Sequence, residues 1–100
     1  FPGTVALAYG HLGDGNVHFH VRAPAGVDPA CWYAEDAPGI SRYVHDLVVA
    51  AGGSISAEHG IGTVKRDFLH FCRTPEELTL MRQIKGLLDP AGILNPGKVI

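Results

Sequence analysis

One hundred residues, 46% of them hydrophobic and 18% charged, provide for one small core, so the composition predicts a single globular domain. A formal net charge of -2 without a basic stripe argues against nucleic acid as a partner. No apolar run approaches the roughly 20 residues that a membrane-spanning helix requires.

Thr4 to Tyr9 reads as a short apolar strand with both faces buried, and it stops at a turn built from Gly13, Asp14, Gly15 and Asn16. An alternating strand, Asn16 to Arg22, follows; Val17, Phe19 and Val21 point to one face while His18 and His20 point to the other. Ala23 to Gly39 holds three prolines, lacks a period and is expected to be a loop. From Ile40 the apolar positions Ile40, Tyr43, Val44, Leu47, Val48 and Ala51 have helical spacing, which Gly52 and Gly53 end. Ser54 to Ala57 is expected to be a strand that delivers Glu58 and His59 into a glycine-flanked loop. A second helix is expected over Val64 to Cys72, with Val64, Phe68 and Phe71 inward. Thr74, Pro75 and Glu77 then form an N-cap, a first-turn proline and a capping-box glutamate for a third helix through Leu78, Met81, Ile84 and Leu88. The Gly- and Pro-punctuated tail, Gly92 to Ile100, is expected to be extended. Cys31 and Cys72 lie far apart outside any CxxC pattern, which predicts free thiols. The chain opens at Phe1 without a methionine or targeting segment and is read as a piece of a longer protein.

The candidate chemistry gathers at two places. His11 precedes the turn, so folding the corner brings it near His18, while Glu58 and His59 add a carboxylate and an imidazole from elsewhere in the chain. Three of these four groups could hold a divalent metal. Gly13, Gly15, Gly60 and Gly62 would allow close backbone approach and positive φ where the turns demand it. His45 and His70 fall inside predicted helices and are read as structural, and Asp14 in its GDGN turn is read as a backbone partner. Neither GxxxxGK[ST] nor GxGxxG occurs, so no phosphate-binding loop is expected here.

Three segments, GHLGDGNVHFHV, SISAEHGIGTVKRD and LLDPAGILNPGKV, together resemble the C-terminal portion of the FAD-linked oxidases of D-2-hydroxy acids. D-lactate, glycolate and D-2-hydroxyglutarate dehydrogenases are members of that group. The resemblance covers nearly the whole chain. It implies an α+β fold: an antiparallel sheet with helices on one face, part of a ferredoxin-like cap domain, and a helical tail returning to the FAD domain. That FAD-binding domain is expected upstream, outside these residues, as are basic residues that clamp a substrate carboxylate.

The resemblance also implies roles. His11, His18 and Glu58 would bind a divalent metal such as zinc, His59 would be the catalytic base, and Asn95 in the closing motif would neighbour the flavin. One position departs from the hydroxyglutarate-type pattern: His20 stands where an asparagine contacts the substrate carboxylate. Histidine can also donate to a carboxylate, so His20 is expected to face substrate. Lys65 and Arg66 would either reach an anionic group or begin a solvated helix. The expected partners are a small 2-hydroxy acid and the FAD domain of the same chain, and an isolated fragment with an uncovered edge or apolar face would self-associate. The expected setting is cytoplasmic or peripheral to a membrane. The alternative is a free-standing metal-binding module without flavin chemistry, for which an extended tail would have little use.

Overall fold

The alternation in NVHFHVR becomes a strand. Among residues 1–100, all described by the computed structural model, Val5–His11 (β1) pairs with Asn16–Arg22 (β2) as an antiparallel hairpin. The rungs run from Val5 opposite Arg22 to His11 opposite Asn16. A single turn of 3-10 helix, Leu12–Asp14, closes the corner, and Gly15 takes φ 62° while its N–H donates to the Leu12 carbonyl at 3.2 Å. A left-handed residue after such a turn is a common hairpin solution and suits glycine. Gly10 answers a different need: a Cβ there would lie 2.0 Å from the Asn16 carbonyl oxygen and 2.9 Å from Val17 Cα, so only glycine permits this approach of the two strands.

Both faces of β1 are exposed, contrary to the expectation that they are buried. A two-stranded sheet covers only its own backbone, and Leu7, Val17 and Phe19 remain 49, 62 and 48% accessible. The stretch expected as a loop also contains structure. Pro29–Glu35 forms a helix (α1), and Ala37–Ala50 (α2) starts at Ala37, three residues before the periodic positions begin. Asp28 caps α1 by accepting from Cys31 N–H at 3.0 Å, and that bond holds its carboxyl below the usual range. The missed signal is Asp28-Pro29, an N-cap followed by proline at the first helical position. Pro38 sits in the first turn of α2, where its lacking N–H does no harm. At the other end Gly53 N–H reaches Val48 O and Gly52 N–H reaches Val49 O, each at 2.9 Å, the Schellman pattern that the paired glycines predict.

Ser54 to Ala57 is not a strand. Ser54 Oγ donates to Ser56 O at 3.0 Å and accepts from Ser56 N–H at 3.4 Å, so the backbone curls on a serine turn instead of offering itself to a sheet. Arg66–Phe71 is 3-10 rather than α-helical, with Phe68 N–H donating to Lys65 O and Cys72 N–H to Leu69 O. That three-residue period buries Leu69, leaves Phe68 and Phe71 half-buried, and puts Val64 outside the helix, exposed. Pro75–Leu88 (α3) carries both halves of its capping box: Thr74 N–H donates to Glu77 at 2.7 Å, and Glu77 N–H to Thr74 Oγ1 at 3.3 Å.

The tail is folded back instead of extended. Asp89, buried, accepts from Ile93 N–H at 3.0 Å, Leu94 N–H at 2.9 Å and Lys85 Nζ at 2.5 Å. Its carboxyl is held below the usual range, chiefly by the Lys85 hydrogen bond. Farther on, Val99 N–H donates to Gly62 O at 2.8 Å.

Where one core was expected, the chain gathers into two compact units, Phe1–His45 and Asp46–Ile100. Trp32 and Ile40 are the buried apolar residues of the first, Ile55 and Leu69 of the second. The α+β class stands, with its strands in the first unit and 3-10 and α-helical turns in the second. Both cysteines are free thiols, as their spacing predicts.

Candidate metal and substrate site

Cross-strand pairs in a hairpin share a face. Tyr9 is opposite His18, Leu7 opposite His20 and His11 opposite Asn16, so three imidazoles and one phenol line a single surface. Their rings touch in sequence. His11 meets His18 edge-on with ring centres 5.7 Å apart, Tyr9 lies against His18 at 5.2 Å, and Tyr9 lies against His20 at 5.5 Å. The Tyr9 hydroxyl is 3.1 Å from His20 Nε2. His18 is half-buried within this row, whereas His11 and His20 are exposed. The spacing and tilt of His11 and His18 suit two imidazoles turned toward one cation, whose Zn–N bonds are about 2.0–2.1 Å long. As a donor set they fit a borderline-soft divalent metal with room for an oxygen ligand.

Glu58 and His59 belong to the second unit, on the exposed loop after the serine turn. Ser56 Oγ bonds the Gly60 carbonyl and so closes the loop around them. Gly60 and Gly62 take φ of 69° and 57°, while Gly13 is not among the positive-φ glycines. Lys65 Nζ donates to Ile55 O at 3.0 Å, and Arg66 to Gly97 O at 3.4 Å. Those two cations thus brace the loop and the tail. Asn95 occupies a turn at φ 46°, where its carbonyl accepts from Lys98 N–H at 3.2 Å. His70 packs edge-on against Phe71, ring centres 4.2 Å apart, in keeping with a structural role.

Tyr9 is the residue of this surface that motif reading overlooks. The signal was the strand period itself, which puts Tyr9 on the histidine face once the four-residue turn is placed.

A hairpin bearing a row of imidazoles, followed by a glutamate-histidine loop and a capped helix, defines an α+β domain with side chains of the kind that can hold a divalent metal. The chain belongs to the family of FAD linked oxidases, C-terminal domain, whose model matches residues 2–99. It is 39% identical over 99 residues to a D-2-hydroxyglutarate dehydrogenase of Stutzerimonas stutzeri, covering 99% of this chain and 21% of that protein. Mitochondrial D-2-hydroxyglutarate dehydrogenases of Bos taurus and Arabidopsis thaliana are 45 and 44% identical over 95 residues, each covering 94% of this chain and 16% of theirs. The chain therefore spans about a fifth or less of the length of these relatives. No helix is long and apolar enough to cross a membrane.

Proposed function

We propose that this chain is the metal-and-base part of a flavoprotein dehydrogenase that oxidises a D-2-hydroxy acid to the 2-oxo acid, with D-2-hydroxyglutarate as the substrate favoured by the named relatives. The observation that carries the reading is the His11–His18 pair, ring centres 5.7 Å apart, within a chain of the FAD-linked oxidase family. In this reading His11, His18 and Glu58 hold a divalent cation, zinc by preference of the donor set. FAD is held mainly by another domain of the same polypeptide, with Asn95 as a neighbour. The folded-back tail removes the argument that an extended segment distinguishes this enzyme from a free-standing metal module. Family membership favours the dehydrogenase reading instead.

Oxidation removes a hydride from Cα and a proton from the hydroxyl. A divalent cation held by His11, His18 and Glu58 would supply positive charge that lowers the cost of developing negative charge on the substrate oxygen. A flavin bound elsewhere in the polypeptide would supply the hydride acceptor. His59 accepts the hydroxyl proton at a ring nitrogen, a task for which imidazole, with a reference pKa of about 6.5, is suited. His20 donates to a substrate carboxylate and so helps orient the acid. Two neutral imidazoles and one carboxylate leave a divalent cation with net positive charge, which favours an anionic substrate over a neutral one.

The test uses the full-length flavoprotein: metal per flavin by elemental analysis, and turnover of D-2-hydroxyglutarate with a dye acceptor before and after chelation. Expected are a stoichiometric divalent metal and activity that chelation abolishes and zinc restores. Full activity in metal-free enzyme overturns the metal assignment, and absence of flavin overturns the reading entirely. The isolated 100-residue chain is expected to bind no flavin and, with Leu7, Val17 and Phe19 exposed, to self-associate; a monodisperse monomer in light scattering would contradict the latter.

A further inference from the structure

The ring of Tyr9 is laid against two imidazoles at once, within 21° of parallel to His18 and within 6° of parallel to His20. Its hydroxyl approaches one nitrogen of the second, His20 Nε2, at 3.1 Å. We propose that Tyr9 is a positioning residue that fixes His20 as the tautomer protonated on Nδ1, so that His20 presents an N–H donor to a carboxylate of the substrate. This rests on the reading of His20 as substrate-facing.

The reasoning is an inventory of donors. A neutral imidazole has one N–H and one bare nitrogen, and which is which follows from the partner of either. A phenolic hydroxyl either donates to a bare nitrogen or accepts from a ring N–H, and in this proposal Tyr9 is the donor. With Nε2 accepting from Tyr9, the ring proton resides on Nδ1, and Nδ1–H is left to donate. The opposite tautomer would turn a lone pair toward a carboxylate and repel it. An asparagine at the same place would need no such help, because its amide NH₂ is a donor in every state. A histidine there does, and the residue across and along the ladder supplies it. The near-parallel stack adds a second restraint, since rotating the His20 ring would break its contact with Tyr9.

The experiment compares the full-length enzyme with Tyr9→Phe, which keeps the ring and removes the hydroxyl. In ¹⁵N-histidine-labelled wild type, with His20→Ala used to assign the signal, His20 is expected to show a protonated Nδ1 and a bare Nε2, and Tyr9→Phe to lose that preference. Metal content and the flavin spectrum are expected to be unchanged in Tyr9→Phe. Its KM for D-2-hydroxyglutarate is expected to rise roughly three- to tenfold, the size of one neutral hydrogen bond, with kcat within about twofold. In a His20→Ala background the same change is expected to add nothing further to KM. A wild-type His20 protonated on Nε2, an unchanged KM in Tyr9→Phe, or an equal KM penalty with and without His20 overturns the proposal. If wild type holds no metal, the metal assignment fails by itself, and the tautomer and the KM ratio still decide the role of Tyr9.

Discussion

The hairpin and the Glu58 loop each carry proposed ligands, yet they are held by different means. On the hairpin a continuous backbone ladder from Val5–Arg22 to His11–Asn16 fixes which side chains share a face, and the rings follow from the register. In the loop no ladder exists: Ser54, Ser56 and Lys65 side chains bond Ser56, Gly60 and Ile55 carbonyls, and the path of the chain depends on those few contacts. A periodic element tolerates change at most positions and fails at a few. A side-chain-braced loop concentrates its dependence in the braces.

The largest expected effect falls on the hairpin. In the full-length enzyme His11→Ala or His18→Ala should reduce bound metal to near zero and abolish turnover while the flavin spectrum stays intact, because in the proposed reading another domain holds the flavin. Elemental analysis and an absorbance scan of the same sample decide the matter; a variant that keeps its metal refutes the ligand role. Next in size are the two neighbours in the loop, which should fail differently. His59→Asn should keep metal and lower kcat by roughly 10²–10⁴-fold, the usual share of a general base. Glu58→Gln, which preserves shape and removes charge from the ligand set, should instead weaken metal affinity. If His59→Asn loses metal and Glu58→Gln retains it, the two roles are exchanged.

The same contrast explains what the sequence made legible. Residues of period two, His18 and His20 opposite Val17, Phe19 and Val21, announced the strand and its faces, and Thr74-Pro75-Glu76-Glu77 announced α3, because ladder and cap are local and repeat a known spacing. The curl at Ser54–Ser56 resembles a strand in sequence because short runs with serine and isoleucine suit both. What decides is Lys65, ten residues on, whose ammonium reaches Ile55 O. The tail misleads for a like reason. Its glycines and prolines say only that helix stops, whereas its path is set by Asp89, which gathers two backbone N–H groups and Lys85. The early start of helical structure, α1, was legible in Asp28-Pro29 and was hidden by the prolines around it. The proposed roles of Glu58, His59 and Asn95 came from motif resemblance, since an exposed loop residue carries no period to betray it.

Breaking one constraint in each region sharpens the comparison at moderate scale. Gly10→Ala would place a methyl 2.0 Å from Asn16 O, so the strands must separate or slip, at a cost of about 1–3 kcal/mol by thermal or denaturant unfolding. A one-residue register slip would move His18 and His20 to the face opposite Tyr9 and His11, so metal should be lost with stability. Lys65→Met removes the brace on Ile55 O while keeping much of the side chain's bulk. It should lower kcat/KM roughly tenfold, the size of one charge-assisted hydrogen bond, with the hairpin's amide protection in hydrogen exchange unchanged. Equal effects of Lys65→Met on both regions would show that the loop and the ladder are not separately held.

The smallest effect is expected from acid, and it should separate a charge-held segment from a ladder-held one. The Asp89 carboxyl titrates below its usual range because Lys85, and then the Leu94 and Ile93 N–H groups, favour its charged form. A carboxyl with a depressed folded-state pKa contributes stability that is fully present above its unfolded value of about 3.9 and is lost as pH falls through the folded value. Protection of the Ile93 and Leu94 amides, corrected for the intrinsic exchange rate, should therefore be flat above about pH 5 and decline below about pH 4. The β1–β2 amides, whose acceptors are backbone carbonyls that do not titrate, should keep their protection across that interval. Asp89→Asn tests the cause: it retains one acceptor oxygen and loses the charge, so Ile93 and Leu94 should exchange faster at neutral pH and show no further decline in acid. A decline of equal size in Asp89→Asn would assign the acid sensitivity to another group, and a decline in the hairpin amides over the same pH range would mean that the ladder, too, depends on charge.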